Sequence, residues 1–310
     1  MRYGKGGELA FTPRCAGVQK PPNKGRPALQ EPETDARVPK ALAHHHRVTG
    51  LDVRVDRVGD GRPLVFLNGL LGLNEHWFGC LRYLVGPEVK GGIECLFIEP
   101  PLLELRGPGC SVDGVTNLTV NLLEMLVDEP AVLVGNSLGG HVSLKIAMAR
   151  PDLVSGLVLL GSSGLFERSF EKDVPRNPTR EWMEKKIAGL FDDPSRMIPG
   201  MVDMAHEALS RRTAVRSIVR LGKSAKRDHL GDQLHRVQTP VLLAWGKQDT
   251  VTPPEVAEQF SQLLPDARLC WIDRCGHAPQ IERPEELCKH MRAFVRELSQ
   301  NAHNEQAGVA

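Results

Sequence analysis

The sequence lacks the features that mark secreted, metal-binding or membrane-spanning proteins. Its 7 cysteines are scattered and form no CxxC pair, so neither a zinc-ligand pair nor a thioredoxin-type dithiol is encoded. An odd cysteine count without an apolar leader indicates reduced thiols, and we predict a cytoplasmic protein. No apolar run approaches the roughly 18 residues that a membrane-spanning helix needs.

A strong charge of either sign is also lacking. The 39 lysines and arginines nearly balance the 38 aspartates and glutamates, which leaves a formal net charge of +1. The net charge therefore gives no reason to expect nucleic acid or a membrane surface as a partner. The contents of hydrophobic residues (41%) and charged residues (25%) are ordinary for a globular protein. The composition leaves the oligomeric state open.

Both ends of the chain lack apolar periodicity. Residues 1–42 are rich in proline, glycine and basic side chains, and such a segment buries too little apolar surface to offset its ordering entropy. We predict disorder there and a flexible tail over residues 301–310. The histidines His44 to His46 have no further ligand at a useful spacing. We interpret them as a solvated run and predict no metal site.

Between these ends, apolar runs of strand length alternate with helical patterns. This alternation predicts an α/β fold with a mostly parallel, helix-flanked sheet. It stops over residues 166–236, where only helical patterns occur, so we predict a core at 43–165 and 237–300 with a helical cap inserted. Six runs are typical of buried strands: 63–67, 93–98, 131–134, 154–160, 240–245 and 268–272.

One of these runs ends at a serine between glycines. Ala131–Val134 is followed directly by Gly-Asn-Ser-Leu-Gly-Gly, and a helical pattern begins at once. A strand-turn-helix corner of this kind holds a serine hydroxyl in a strained turn. Gly135 and Gly139 stand where a Cβ atom would collide with the neighbouring strand and helix. Ser137 is therefore the candidate nucleophile.

A serine hydroxyl becomes nucleophilic only with a base beside it, which an acid in turn orients. His277, on a glycine-containing loop after the last strand pattern, is the candidate base. Asp249 directly follows the preceding strand pattern and is the candidate acid, although aspartate is also favoured in turns and at helix starts. Asp273 is the rival, but it lies only four residues before the histidine.

The chain order of nucleophile, acid and base, each after a different strand, resembles the α/β-hydrolase fold. The segments Val134–Gly140, Trp245–Asp249 and Cys275–Pro279 carry the resemblance, which spans about residues 47–298. It implies a serine hydrolase with a helical cap, a Ser-His-Asp triad and no cofactor. Relatives with an aspartate nucleophile are disfavoured because Ser137 occupies that position.

The resemblance also implies an oxyanion hole made of two backbone N–H groups. One belongs to Leu138, behind the nucleophile, and the other comes from the loop after the first buried strand. Many relatives carry His-Gly in that loop, whereas this sequence has Asn-Gly. By position, Leu70 is the second donor, with the leucine after it as the alternative. Three residues are predicted to line the substrate pocket: Gly69, Leu71 and Asn136.

We predict hydrolysis of a small-molecule carboxylic ester through an acyl-enzyme. One alternative is a carbon–carbon bond hydrolase of aromatic ring-cleavage products, which the Gly-Asn-Ser-x-Gly-Gly form resembles. The other is a catalytically silent binding protein of the same fold. A row of cations at helical spacing is interpreted as a solvated face, with recognition of a substrate carboxylate as the alternative. The row consists of Arg212, Arg216, Arg220, Lys223 and Arg227.

Overall fold

Eight strands form one sheet in the computed structural model, which describes residues 39–86, 92–168 and 174–308. The strands are β1 (Leu42–Val48), β2 (Leu51–Gly59), β3 (Arg62–Leu67), β4 (Ile93–Glu99), β5 (Ala131–Asn136), β6 (Val154–Leu160), β7 (Val241–Gly246) and β8 (Ala267–Ile272). Their order across the sheet is β1-β2-β4-β3-β5-β6-β7-β8. From β4 to β8 all neighbours are parallel, whereas β1 and β2 are antiparallel to each other and β2 is antiparallel to β4. The predicted α/β fold class is confirmed.

Helices cover both faces of the sheet. In the described residues they are α1 (Phe78–Leu84), α2 (Val112–Leu126), α3 (Leu138–Ala149), α4 (Arg180–Ala188), α5 (Met201–Ala208), α6 (Arg212–Arg227), α7 (Pro254–Leu263), α8 (Pro279–Glu282) and α9 (Pro284–Gly308). In β3, Val65 and Leu67 pack with α2, α3 and α7. The alternate residues Leu64 and Phe66 pack with α1 and α9. Because both faces are covered, the strand is apolar throughout rather than alternating.

The fold begins with a strand that no apolar pattern in the sequence indicates. β1 starts at Leu42 and pairs with β2 through a tight turn in which Thr49 has φ 49° and Gly50 has φ 84°, the geometry of a two-residue hairpin. β1 is an edge strand with largely exposed side chains, so it carries no apolar alternation to reveal it. Its histidines belong to no cluster able to hold a metal ion in the described residues. The predicted disorder of residues 1–38 lies outside the described residues.

Two helix boundaries have local causes. α2 begins at Val112 because the Ser111 hydroxyl accepts a hydrogen bond from Gly114 N at 3.1 Å and caps the helix. α9 continues to Gly308 and so extends into residues 301–310, where a flexible tail is predicted. No proline or glycine interrupts the chain between Pro284 and Gly308, so nothing stops the helix sooner.

Helices α4, α5 and α6, which we call the inserted helices, lie between β6 and β7. The described residues of this stretch contain no strand. The inserted helices surround an apolar cluster of their own, which includes Met183, Ile187 and Ile218 and extends to Ala278 beside the candidate base. No helix in the described part of the chain is both long and apolar enough to cross a membrane.

Candidate active site

Ser137 occupies a strained turn between β5 and α3. Its backbone has φ 53° and ψ −116°, a region that residues with a side chain rarely adopt. A Cβ atom on Gly135 would lie 2.5 Å from the Gly139 carbonyl carbon, and one on Gly139 would lie 2.1 Å from Leu67 O. The two glycines therefore permit a turn that any larger residue would break.

Backbone hydrogen bonds hold this turn in place. Ser137 N donates to Leu160 O at 3.0 Å, and Ser163 N donates to Ser137 O at 3.1 Å. Both partners belong to the end of β6 or to the loop after it. The strained conformation is thus fixed by the neighbouring strand, and the serine side chain is held at the carboxyl edge of the sheet, where ligands of parallel α/β sheets bind.

His277 and Asp249 form a buried pair. His277 Nδ1 lies 2.8 Å from Asp249 Oδ2, and the two residues are 6% and 2% exposed. Asp249 Oδ1 also accepts hydrogen bonds from Val251 N at 2.8 Å and Thr252 N at 3.0 Å, while the Thr252 hydroxyl donates to Oδ2 at 2.9 Å. With Nδ1 bound to a carboxylate, Nε2 is the ring nitrogen left to act as a base.

The pair shifts the pKa values of both groups. Burial lowers the pKa of His277, but the charge and hydrogen bond of Asp249, with a contribution from Glu167, outweigh burial and raise that pKa above its ordinary 6.5. Burial likewise raises the pKa of Asp249, and the His277 charge with the Thr252 hydrogen bonds outweighs it and lowers that pKa. The carboxylate therefore stays ionised beside an imidazole of increased basicity.

Asp273, the rival acid, lies on the surface. Its side chain is 69% exposed and pairs with Lys247 Nζ at 2.6 Å. His277 has its hydrogen-bonded carboxylate in Asp249 instead. The geometry thus separates two aspartates that the sequence places on neighbouring loops.

The predicted oxyanion donors line one cleft. Leu70 and Leu138 both border it, together with Ser163. A Cβ atom on Gly69 would lie 3.1 Å from Ser137 Cβ, so the loop passes directly against the serine. Leu71 has φ 60° and its side chain packs on the cluster of the inserted helices. Leu138 opens α3, and the N–H groups of a first helical turn have no partner within the helix.

Asn68 anchors this loop. Its Oδ1 accepts a hydrogen bond from Trp77 Nε1 at 2.8 Å, and its Nδ2 donates to Asn74 Oδ1 at 3.0 Å. Asn74 Nδ2 donates to Asp56 Oδ2 at 2.7 Å, and Arg54 Nη2 donates to Asp56 Oδ1 at 3.1 Å. Sequence analysis missed this chain of contacts. The Asn-Gly departure was the signal available, but the partners are visible only in the fold.

Asn136, predicted as a pocket residue, has a different environment. Its Nδ2 donates to Leu160 O and to His277 O, both at 3.0 Å. Its Oδ1 accepts from Gln280 Nε2 at 3.2 Å. Both amide N–H groups therefore bind within the protein, which argues against substrate binding by Asn136. The residue instead links the serine turn to the loop that carries His277.

The cleft lies between α6 and the loops that contain Leu70 and Ser163, and its lining includes Leu138, the residue after Ser137. It encloses about 470 Å³ including its open mouth. The cationic row on α6 is exposed along its length and lines no part of the cleft, which fits a solvated face better than recognition of a substrate carboxylate. The cleft is lined by Leu70, Leu138, Ser163, Gly164, Leu165, Glu167, Arg168, Gly222, Ala225 and Lys226.

Comparison with known proteins identifies the family. Residues 64–290 match the alpha/beta hydrolase family. The crystal structure of an alpha/beta hydrolase enzyme from a sediment metagenome of the Mar Chica lagoon, Morocco, superposes with a TM-score of 0.64 at 33% identity, covering 82% of this chain and 98% of that one.

Curated relatives carry two kinds of name. A pimeloyl-[acyl-carrier protein] methyl ester esterase of Nitrosomonas europaea is 26% identical over 76% of this chain and 96% of its own length. A 2-hydroxy-6-oxononadienedioate/2-hydroxy-6-oxononatrienedioate hydrolase of Paraburkholderia phymatum is 29% identical over 80% of this chain and 92% of its own length. The chain belongs to the alpha/beta hydrolase family and is an enzyme, as the resemblance in its sequence implied.

Proposed function

We propose that this enzyme hydrolyses a small carboxylic ester with Ser137 as nucleophile. Ser137 Oγ attacks the ester carbonyl carbon while His277 Nε2 takes the hydroxyl proton. The tetrahedral intermediate carries its negative charge on the former carbonyl oxygen, which accepts hydrogen bonds from the N–H groups of Leu70 and Leu138. His277 then gives the proton to the leaving alcohol, and an acyl-serine remains.

Water completes the reaction by the same route. His277 Nε2 takes a proton from water, which attacks the acyl carbon. The second tetrahedral intermediate then collapses, releases a carboxylic acid and returns the proton from His277 to Ser137 Oγ. Asp249 acts through the histidine: it fixes the tautomer and stabilises the imidazolium that forms twice per turnover. The observation that carries the proposal is the buried 2.8 Å contact between His277 and Asp249, and the strained turn at Ser137 supports it.

A serine-reactive probe tests this mechanism. A fluorophosphonate should label the wild-type protein at Ser137 and should not label Ser137→Ala. The same variant should lose ester turnover, by about 10⁶-fold in kcat, while retaining its melting temperature. Full activity in Ser137→Ala would contradict the proposal.

The ring-cleavage alternative remains a second candidate because the two kinds of relative match with similar identity. Short p-nitrophenyl esters and a dienoate ring-cleavage product, assayed with the same preparation, separate the two. We expect a higher kcat/KM for the esters, and a clear preference for the dienoate would replace the ester proposal while leaving the roles of the side chains intact.

We also propose a cytoplasmic location and a small-molecule substrate. All six cysteines in the described residues are free thiols, which suits a reducing compartment.

A further inference from the structure

The connection after α4 rests on the loops that carry the acid and the base. His277 N donates to Leu190 O at 2.7 Å, and the Thr250 hydroxyl donates to Gly189 O at 3.2 Å. A Cβ atom on Gly276 would lie 2.4 Å from Leu190 O, so glycine is needed for the approach. The inserted helices are thereby joined to the backbone of His277 itself.

Glu282 makes a second connection between the loop that carries His277 and the chain after α4. The residue is 1% exposed and lies at the end of α8. Its Oε2 accepts a hydrogen bond from Gly276 N at 2.7 Å, and its Oε1 accepts one from Asp193 N at 2.7 Å. One buried carboxylate therefore connects the residue before His277 to the loop between α4 and α5 through two short, charge-assisted hydrogen bonds.

His277 is consequently held at three backbone points. Its own N–H is fixed by Leu190, its carbonyl oxygen by Asn136, and the preceding N–H by Glu282. Ala278, the next residue, packs in the cluster of the inserted helices. The position of the His277 imidazole therefore depends on the placement of the chain that follows α4.

We propose that Glu282 is a positioning residue that aligns His277 with Ser137 and makes this alignment depend on the inserted helices. The inference rests on the proposed function, since it assumes that His277 is the base. Glu282 touches neither the imidazole nor the cleft, so its effect passes through the backbone of Gly276 and Asp193. A misplacement of about 1 Å in such a group costs roughly 100-fold in rate.

Glu282→Gln is the direct test because it keeps the shape of the side chain. An amide offers one acceptor oxygen, and its NH₂ group would face a backbone N–H that needs an acceptor. We expect kcat per fluorophosphonate-labelled serine to fall about 10- to 100-fold, with KM within about 3-fold, because the cleft is untouched. The rate of labelling by a small fluorophosphonate should fall in parallel, since it needs the same alignment.

Glu94→Gln is the matched control. Glu94, at the start of β4, accepts hydrogen bonds from Arg57 Nε at 2.5 Å and Nη2 at 3.0 Å. The substitution therefore perturbs a hydrogen-bonded carboxylate away from the candidate site. Its kcat per labelled serine should equal that of the wild type. Wild-type kcat per labelled serine in Glu282→Gln, or an equal fall in both variants, would overturn the proposal.

Thr250→Val decides the question if Glu282→Gln does not fold. Thr250 is exposed, and the change removes only its hydrogen bond to Gly189 O from the same contact. We expect kcat to fall about 2- to 5-fold at an unchanged melting temperature, and no change would overturn the proposal. Ester turnover by Ser137→Ala would instead reject the proposed function, so the two failures are distinguishable.

Discussion

The loops on the two sides of Ser137 are held by different chemistry. On the histidine side, two buried carboxylates, Asp249 and Glu282, accept short hydrogen bonds from the imidazole and the backbone. On the oxyanion side, the neutral amides of Asn68 and Asn74 hold the loop. The charged side also sets the basicity of His277. On the oxyanion side, the carboxylates of Asp56 and Glu99 accept hydrogen bonds from Asn74 rather than from the loop that carries Leu70.

This difference predicts that substitutions on the histidine side lower kcat more than substitutions on the oxyanion side. Replacing a carboxylate by its isosteric amide turns one acceptor oxygen into a donor NH₂ group. Where the carboxylate is buried and accepts several hydrogen bonds, one of its donors then has no acceptor, which is costly. An asparagine that holds a loop can be removed at a smaller catalytic cost, because the loop keeps its other contacts. The variants below compare the two sides, beginning with the largest effect.

Asp249→Asn should have the largest effect. The amide would hold His277 in the wrong tautomer, and we expect kcat to fall about 10⁴-fold. The charge that raises the pKa of His277 would also be lost, so the acidic limb of the residual activity should move to lower pH. Steady-state kinetics from pH 5 to 9 would measure both. A loss of less than about 10-fold would show that the carboxylate is not the orienting acid.

Asn68→Ala should have an intermediate effect. Trp77 Nε1 would lose its acceptor and Asn74 its donor, which costs about 1–3 kcal/mol in stability. The loosened loop would misplace the donor of Leu70. We expect a fall in kcat of about 10- to 100-fold, below the 100- to 1,000-fold that follows complete loss of an oxyanion donor.

The kcat of Asn68→Ala must be expressed per labelled serine, because unfolded protein in the sample would otherwise lower the apparent kcat. Asn117→Ala, on the exposed face of α2, is the matched control and should retain the wild-type kcat. If kcat fell as far in Asn68→Ala as in Asp249→Asn, the two sides would not differ in sensitivity.

The wild-type pH profile should directly report the effect of Asp249 on the pKa of His277. Only neutral His277 can take the serine proton, and Asp249 raises its pKa above 6.5. Activity should therefore be lost as the pH falls through this raised pKa, and kcat/KM should drop about 10-fold per pH unit below it. An acidic limb centred below pH 6.5 would mean that burial outweighs the carboxylate.

The sequence predicts the candidate catalytic residues better than the contacts that hold them, for a physical reason. Ser137, Asp249 and His277 each follow an apolar strand, so local patterns place them at one edge of the sheet. Asp193, the partner of Glu282, lies 89 residues earlier in the chain. Asn68 likewise depends on partners from other elements, and no local pattern encodes such contacts. The sheet was predicted from its buried strands, whereas exposed β1 gave no apolar signal.

Asp273→Asn should have the smallest effect and is the sharpest check on which carboxylate matters. Asp273 lies four residues before His277 in the sequence, yet its side chain is 69% exposed and paired with Lys247. Exposed ion pairs contribute about 0–1 kcal/mol, so the melting temperature should barely change and kcat should stay within about 2-fold. A loss comparable to that in Asp249→Asn would mean that closeness in sequence, rather than the buried contact, decides which aspartate supports the histidine.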